Sequence, residues 1–466
     1  MFFKHFYDED LAQGSYLIGC QTTGEAIVVD ARRDIAVYLE EASRQGLKIS
    51  AVTETHIHAD YLSGSRELAN ATGATLYLSD EGNADWKYSF EGDKLYHGSR
   101  IKLGNIIVEA VHTPGHTPEH LSFLVTDGAA ASQPGYYLTG DFVFVGDIGR
   151  PDLLDEAAGG IDTRFVGAKQ LFASLRDHFL TLPDYVQVWP AHGAGSACGK
   201  SLGAVASTTV GYERSFAWWA PYIERGDEQG FTDALLAGQP DAPLYFGRMK
   251  KQNKEGPALL GARADLLELS VQDVQQGLEQ SSLIFVDTRN RARHLDAHPV
   301  GALFIPWGKS FTTYASYSIS PEHDNRPIVL LADNQVMAHA MRDRLSYVGI
   351  DNVQGYLTST QGLPSVSSDV LPVKDINPEQ QFVLDVRTAN EHQTGHLPNA
   401  KQLHVGRVIY NLDTLPKDKM VVVHCQTGGR ATVAASALRA AGYDKVYELE
   451  GSYEGWLAQQ PETASA

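Results

Sequence analysis

The chain has 466 residues, 43% of them hydrophobic and 20% charged, a composition typical of globular domains with sizeable cores. At roughly 150 residues per domain, this length predicts about three domains. The net charge of -19 argues against nucleic acid and anionic membranes as partners, because phosphate groups would be repelled. The amino-terminal segment becomes acidic too early for a secretory signal, and no apolar run approaches ~18 residues. Three scattered cysteines are too few for a disulfide framework, so we expect a cytoplasmic protein.

Residues 1–255 are predicted to form one α/β unit. Its strand-like runs are Ala26–Asp30, Ser50–Thr53, Ile106–Val108 and Tyr136–Leu138, and residues 35–45 have a helical pattern. Candidate metal-binding histidines follow such runs and are expected on loops at strand ends. The pattern weakens between about 218 and 260, where glycines, prolines and the basic Met249–Lys251 indicate a connecting segment.

The second half of the chain contains an internal duplication. Ile284–Arg289 resembles Phe382–Arg387, and Gly349–Val353 resembles Gly442–Val446. These ordered correspondences predict two small α/β domains, at residues 262–363 and 371–466. An ungapped alignment of the copies puts Ala332 where the second has Cys425.

A set of histidines and one aspartate has the spacing of metal ligands. His56 and His58 are one residue apart, so on an extended segment their side chains point the same way. The further candidates, each beside a glycine, are His116, Asp141 and His192. Imidazole suits zinc and iron alike, and any single histidine could be an ordinary surface or hydrogen-bonded residue. The ordered set favours a metal centre.

A second candidate site surrounds Cys425. Six residues from Cys425 to Arg430 include two glycines, follow the strand Met420–Val423 and precede a helical segment at 431–441. Backbone N–H groups and the positive helix end at such a turn stabilise a thiolate or a persulfide. A buried inert cysteine is the alternative, which the paired glycines and Arg430 disfavour.

The first half resembles the metallo-β-lactamase fold. The resemblance covers residues 1 to about 215 and rests on Thr55–Asp60, Gly115–Thr117, Gly140–Asp141 and Ala191–Gly193. It implies an αββα sandwich with a metal at one edge of two facing sheets. Hydrolases and persulfide dioxygenases share this fold, so the fold alone does not select the reaction. Many dizinc members have a histidine where this chain has Tyr61, and its loss weakens the second metal position.

The persulfide dioxygenases of this fold imply a more specific assignment. By resemblance, one Fe(II) per chain is held by His56, His116 and Asp141, with zinc as the alternative metal. The residues expected to orient ligands and water are then His58, Asp60 and His192. Gly149–Asp152 resembles a Gly-Arg-x-Asp segment of these enzymes, which implies that Arg150 binds the carboxylate of a small thiol substrate. Pairing of Arg150 with Asp152 or Asp147 is the alternative. Cys198 is a possible accessory thiol beside the metal, and Cys20 is assigned to packing.

Residues 371–460 resemble the rhodanese sulfurtransferases, on the Cys425 loop, Asp385–Arg387, Gly395–Ala400 and Gly451–Trp456. The first copy resembles a degenerate rhodanese-like domain, because it lacks the cysteine and the glycines. Nearly the whole chain resembles persulfide dioxygenase–rhodanese fusions.

That resemblance implies oxidation of a small thiol persulfide by O₂ to sulfite, and sulfur transfer through Cys425 to form thiosulfate, as in sulfide detoxification. Arg430 would orient the oxyanion or stabilise the Cys425–Arg430 loop, which we call the cradle. Two rival functions stay open: a zinc-dependent, glyoxalase II-like thioester hydrolase fused to a sulfurtransferase, and a persulfide carrier without oxygenase activity. We expect a homo-oligomer, and the identity of the thiol is left open.

Overall fold

The computed structural model describes residues 1–153, 155 and 163–460, which form two compact units. The first unit comprises Met1–Ala242 and Phe246–Arg263, and the second comprises Pro243–Tyr245 and the chain from Ala264 onward. Within the described ranges, every helix is too short or too polar to cross a bilayer.

Two six-stranded sheets form the centre of the first unit. The first sheet follows chain order, with strands β1 Phe2–Asp8, β2 Gln13–Cys20, β3 Glu25–Val29, β4 Lys48–Thr53, β5 Thr75–Ser79 and β6 Asp93–Leu95. The second runs in order β12-β11-β10-β9-β8-β7, with strands β7 Arg100–Leu103, β8 Ile106–His112, β9 Leu121–Asp127, β10 Tyr136–Gly140, β11 Gln187–Pro190 and β12 Thr208–Thr209. Strands β3 to β6 are parallel, as are β10 and β11, so the loops that follow them leave from shared sheet edges.

Helices cover the outer face of each sheet. They are α1 Ala36–Arg44, α2 Ser65–Thr72, α3 Thr163–Ser174, α4 Val210–Phe216, α5 Ala220–Arg225 and α6 Glu228–Leu236. A further helix, α7 Tyr245–Glu255, is bonded through Asn253 to the loop after β4. One apolar core lies between the sheets and includes Ile18 and Phe123. A second lies under α1 and α2, and a third under α3 to α6. These four layers confirm the predicted αββα sandwich.

The expected connecting segment at 218–260 is instead largely helical. Helices α5 and α6 bury Trp219, Phe231 and Leu235 in the same core as α3 and β11. The sequence pattern is weak here because these helices are short and are separated by Gly226 and Gly238, both in the left-handed region. This stretch of the predicted connecting segment is therefore helical and packed on the first unit, and its role as a connection between domains stays a prediction.

Phe231→Ala tests whether α6 is an integral part of the first unit. Phe231 is 0% exposed and Phe216 is 72% exposed, which makes Phe216→Ala a matched control. We expect Phe231→Ala to lower the free energy of unfolding by about 3–5 kcal/mol, because it leaves a cavity. The control should change it by less than about 0.5 kcal/mol. Equal effects of the two substitutions in urea unfolding would contradict this assignment.

The second unit contains two five-stranded parallel sheets with the same strand order. One has the order β13-β18-β17-β14-β16, with strands β13 Leu267–Glu268, β14 Ile284–Asp287, β16 Leu303–Phe304, β17 Ile328–Leu331 and β18 Val353–Leu357. The other has the order β20-β24-β23-β21-β22, with strands β20 Val370–Leu371, β21 Phe382–Asp385, β22 Lys401–Gln402, β23 Val421–His424 and β24 Val446–Leu449. A separate pair joins β15 His298–Pro299 to β19 Ser365–Val366. We call the two parts the first and second repeat.

Two helix positions and one buried polar network also recur in both repeats. The helices of the two repeats are α8 Val271–Glu279, α9 Arg291–Asp296, α10 Phe311–Ser318, α11 Gln335–Ser346, α12 Ala389–Thr394, α13 Gly429–Ala440 and α14 Ser452–Leu457. In the first repeat, Asp287 accepts hydrogen bonds from Arg289 and His294, at 2.8 Å each. In the second, Asp385 accepts from Arg387 at 2.7 Å and from His392 at 2.9 Å. The sheet of the first repeat lies inside the predicted domain 262–363, and that of the second begins at Val370, one residue before the predicted domain 371–466. The domain boundaries stay predictions, and residues 461–466 lie outside the described part.

Candidate metal and sulfur sites

Strands β3 and β4 position the first histidine pair. Asp30 directly follows β3 with φ 57°, and its two oxygens accept hydrogen bonds from the backbone N–H and the hydroxyl of Thr55, at 2.7 and 3.0 Å. His58 Nε2 bonds to the same carboxylate at 3.0 Å. Because β3 and β4 are parallel neighbours, one carboxylate can fix the loop that carries His56 and His58.

Three of the predicted residues form one compact group. The ligand atoms of His56, His116 and Asp141 all lie within 4.8 Å of one another, and all three side chains are buried. Asp141 Oδ2 is 3.4 Å from His116 Nε2 and 3.9 Å from His56 Nε2. His116 lies on the loop after β8, and Asp141 immediately follows β10. The structure therefore brings together the three side chains predicted to bind a metal.

A second group adjoins the first and includes the predicted accessory thiol. Ligand atoms of Asp60, His192 and Cys198 lie within 4.8 Å of one another. His192 Nε2 connects the groups, because it is 3.4 Å from both Asp60 Oδ2 and Asp141 Oδ1. Burial, followed by the negative charges of Asp141 and Asp60, raises the pKa of the Cys198 thiol. A chemical role for Cys198 stays a prediction.

The polar atoms of the first group fit a metal ion. Both carboxylate oxygens of Asp141 and Nε2 of His192 are buried and accept or donate no hydrogen bond within the described part of the chain. Uncompensated buried groups of this kind are costly unless they are coordinated. Burial lowers the pKa of His56 and of His116, which favours the neutral imidazoles that metals bind. The residues present are therefore suited to a divalent cation.

Hydrogen bonds fix which imidazole nitrogen faces the centre. His116 Nδ1 donates to the carbonyl of Arg150 at 2.9 Å, and His192 Nδ1 donates to the carbonyl of Ala12 at 3.0 Å. A carbonyl only accepts, so in the neutral rings Nε2 carries the lone pair on the side of Asp141. Such outer bonds orient the ligands of metal centres.

Tyr61 fills the position that is a histidine in many dizinc proteins. Its side chain is fully buried, and its hydroxyl donates to the carbonyl of Asp30 and accepts from Gln13 Nε2, both at 3.3 Å. A phenol held in this way adds no imidazole to the second group, and the weakened second metal position stays a prediction.

Arg150 is held inside the protein. Its guanidinium forms a two-bond pair with Asp152, at 2.8 and 2.6 Å, and also donates to the carbonyls of Ala197 and Pro240. This is the loop-holding arrangement that was the alternative to substrate binding. The backbone carbonyl of Arg150 also accepts the bond that orients His116 in the candidate metal site. Recognition of a substrate carboxylate by Arg150 stays a prediction.

Cys425 lies at the turn between β23 and α13. The backbone N–H of Gly428 donates to its sulfur at 3.1 Å, and the N–H of Cys425 donates to the Ser452 hydroxyl at 3.3 Å. Gly428 has φ 117°, a conformation that side chains disfavour, so the turn requires glycine. The sulfur is buried at the positive end of a 12-residue helix, as the sequence predicted.

Arg430 pairs with a carboxylate of the same repeat. Its two terminal nitrogens donate to the two oxygens of Glu391, each at 2.7 Å. Although burial raises the pKa of Glu391, the bonds from Arg430 and Thr388 lower it to about 2 overall. The pair is thus ionised at neutral pH. Direct orientation of an oxyanion by Arg430 stays a prediction.

The first repeat has no comparable turn. Ala332 follows β17 as Cys425 follows β23, which agrees with the ungapped alignment. The Asn334 side chain accepts from the N–H of Met337 and caps α11, where the second repeat has its glycines. The first repeat therefore offers no sulfur nucleophile at this position.

Sequence reasoning missed several residues that support the sites. Asp30 was noticed only as the end of a strand, although a carboxylate at that point is a usable signal. His120 Nε2 accepts from the backbone N–H of Asp141 at 3.1 Å, and its ring stacks on His56. Glu391 also gave no signal, because nothing in the sequence links it to Arg430.

Comparisons with known proteins agree with this geometry. Residues 9–192 match the metallo-beta-lactamase superfamily, and residues 373–459 match the rhodanese-like domain. A crystal structure of a metallo-beta-lactamase from Staphylococcus aureus subsp. aureus COL is 39% identical with a TM-score of 0.66, over 76% of this chain and 98% of that chain.

Two curated relatives belong to different enzyme classes. The persulfide dioxygenase ETHE1 of Bos taurus is 27% identical over 186 residues, which are 38% of this chain and 63% of that protein. A hydroxyacylglutathione hydrolase of Hyphomonas neptunium is 27% identical over 223 residues, which are 47% of this chain and 77% of that protein. The chain thus spans less than two thirds of the length of the dioxygenase.

Proposed function

The chain belongs to the metallo-β-lactamase superfamily, and from this premise we propose that it is an iron-dependent persulfide dioxygenase with sulfurtransferase activity. One observation carries the proposal: the buried group of His56, His116 and Asp141 and the cradled sulfur of Cys425 occur on one chain. A thioesterase alone would need only the first site, and a simple sulfur carrier only the second. Likeness to persulfide dioxygenases and the rhodanese-like match add support.

The first site would oxidise the outer sulfur of a small thiol persulfide. Iron(II) bound there would supply redox chemistry and coordination positions open to small ligands. The overall reaction consumes one persulfide (RSSH), one O₂ and one water, and yields the thiol, sulfite and two protons. The sulfur–sulfur bond breaks, and the outer sulfur loses its electrons to O₂.

The protein's own groups would position the reactants. His116 and His192 are held by carbonyls that fix their orientation. Asp60 and His192, whose Oδ2 and Nε2 atoms are 3.4 Å apart, would hold the water that attacks the oxidised sulfur. The buried surroundings would exclude bulk water from the reactive intermediate.

Cys425 would carry the second step. The Cys425 thiolate would first attack the outer sulfur of a second thiol persulfide, which releases the thiolate of the carrier and leaves a persulfide on Cys425. Sulfite would then attack the outer sulfur of that persulfide and form the sulfur–sulfur bond of thiosulfate. The bond to Cys425 would break, and its electron pair would return to the cysteine as thiolate. The Gly428 N–H and the helix end would stabilise that thiolate.

A zinc-dependent thioester hydrolase is the second candidate. The Asp60–His192–Cys198 group beside Asp141 favours it, because this group could hold another metal. Hydrolase relatives are also as similar as the dioxygenases. Zinc would then lower the pKa of a bound water that attacks a thioester.

Oxygen uptake with several thiol persulfides, measured alongside iron and zinc content, tests the proposal. We expect about one iron per chain and repeated turnover, with one molecule of sulfite and thiosulfate together formed per O₂ consumed. Two zinc ions per chain with thioester cleavage and no oxygen uptake would establish the hydrolase instead. Absence of both activities, with sulfur transfer retained, would leave only the carrier.

A further inference from the structure

Two side chains of the first repeat lie against the turn that holds Cys425. Arg291 begins helix α9 and Tyr314 lies on helix α10, and both helices belong to the repeat that has no cysteine. A Cβ atom at Gly428 would be 2.7 Å from the Arg291 Cζ, so the guanidinium rests on the glycine. A Cβ atom at Gly429 would be 3.7 Å from the Tyr314 hydroxyl.

Arg291 is bonded to groups that fix the turn. Its Nε donates to the Thr432 hydroxyl at 2.7 Å, and Nη2 lies 3.2 Å from a carboxylate oxygen of the buried Glu448. The Thr432 hydroxyl lies 3.1 Å from the carbonyl oxygen of Gly428. Arg291 therefore braces the residue whose N–H donates to the sulfur of Cys425.

Tyr314 of the first repeat packs beside Cys425. Its ring packs on the apolar cluster that includes Cys425. Burial, followed by the negative charge of Cys425, raises the pKa of Tyr314, which agrees with a hydroxyl close to the sulfur. The phenol therefore remains protonated at neutral pH and is a hydrogen-bond donor.

The cations around the cradle are already paired. Arg430 is bonded to both oxygens of Glu391, and Arg291 is bonded to Glu448. A sulfur oxyanion that approaches Cys425 thus needs further donors to replace its water. The neutral hydroxyl of Tyr314 supplies a hydrogen-bond donor there without adding charge.

We propose that the first repeat completes the sulfur-transfer site: Tyr314 contacts the oxygens of thiosulfate or sulfite, and Arg291 is a positioning residue that acts through Gly428. The proposal rests on sulfur transfer at Cys425. In that step, the Cys425 thiolate attacks the outer sulfur of thiosulfate. The sulfur–sulfur bond of thiosulfate breaks, sulfite leaves with its electron pair, and Cys425 becomes a persulfide.

The variants Tyr314→Phe and Arg291→Met separate these roles in the full-length protein. The assays are steady-state transfer from thiosulfate to cyanide, and alkylation of Cys425 by iodoacetamide, followed by peptide mass mapping. We expect Tyr314→Phe to raise the KM for thiosulfate about tenfold, because it removes one bond to a charged ligand, with kcat nearly unchanged. It should leave alkylation unchanged, since iodoacetamide has no oxyanion. Arg291→Met should slow both reactions, because it loosens the donor to the sulfur.

Matched controls are Arg293→Met, at an exposed position of the same helix, and Tyr356→Phe, on strand β18 of the first repeat. Both should behave as the unmodified protein. The role of Tyr314 is overturned if Tyr314→Phe leaves the KM unchanged, or if it slows alkylation as much as transfer. The role of Arg291 is overturned if Arg291→Met alkylates at the normal rate.

A binding measurement without turnover tests the role of Tyr314 even if the protein transfers no sulfur. Sulfate is an unreactive tetrahedral oxyanion and should protect Cys425 from iodoacetamide. We expect Tyr314→Phe to raise the sulfate concentration for half protection about tenfold. If the unmodified protein transfers no sulfur, the proposed function fails, and this protection still decides the role of Tyr314. Equal protection in both proteins would overturn it.

Discussion

Asp141→Asn is expected to remove the metal and with it the oxygen uptake. Asp141 is the only carboxylate in the group with His56 and His116, and its buried oxygens also lie 3.4 Å from His116 and His192. An amide is uncharged and binds cations weakly, so iron should fall from about one to below 0.1 per chain. Oxygen uptake with a thiol persulfide should fall by at least about a hundredfold.

The fold should survive this substitution. Without a metal, the Asp141 carboxylate is buried and accepts no hydrogen bond from the described residues, so its charge is a cost to the folded state. Metal-free Asp141→Asn should therefore unfold at or above the temperature of the metal-free unmodified protein. With iron at a hundred times its dissociation constant, only the unmodified protein should gain about 2.7 kcal/mol.

Asp93→Asn is the matched control, because Asp93 lies exposed on strand β6 of the same unit. It should keep both iron and activity. If Asp141→Asn retained iron and oxygen uptake, His56, His116 and Asp141 would not be the ligand set. If it lost oxygen uptake while retaining iron, Asp141 would act in the reaction without being needed for metal binding.

The architecture was largely predictable because strand-ending motifs and turn glycines are local signals. His56, His116 and Asp141 each follow a strand, and the sequence reveals both the strands and the residues beyond them. The shared polar network of Asp287 and Asp385 was likewise visible as a repeated strand ending. In each case the signal lies within a few residues of the end of one strand.

What could not be predicted depends on packing between distant segments. Trp219 and Phe231 belong to short helices whose apolar spacing is too brief to reveal a buried face. Glu391 and Arg430 are 39 positions apart, and Arg291 reaches Thr432 from the other repeat. The sequence does not reveal that the Arg150 guanidinium bonds to the carbonyls of Ala197 and Pro240, because these three segments meet only in the folded chain. Side chains that support a site are therefore harder to find than those that form it.

Cys425→Ser is expected to separate sulfite formation from thiosulfate formation. Serine is nearly isosteric and can still accept the Gly428 N–H bond, so the turn should persist. Its hydroxyl is a poor nucleophile and cannot carry a persulfide, and transfer from thiosulfate to cyanide should fall by at least about a thousandfold. Oxygen uptake should stay within about twofold, because Cys425 takes no part in the group of His56, His116 and Asp141. Product analysis after persulfide oxidation should then give sulfite in place of thiosulfate.

Cys20→Ser is the control for this comparison, since Cys20 packs in the core between the two sheets of the first unit. It should form thiosulfate as the unmodified protein does. The reaction of sulfite with free persulfide, measured without protein, must be subtracted from every rate. If Cys425→Ser still formed thiosulfate above that background, sulfur transfer would not pass through the cradle, and another thiol would have to carry the sulfur. Cys198, beside Asp60 and His192, would be the first to replace, because a persulfide there would already adjoin the oxidising centre.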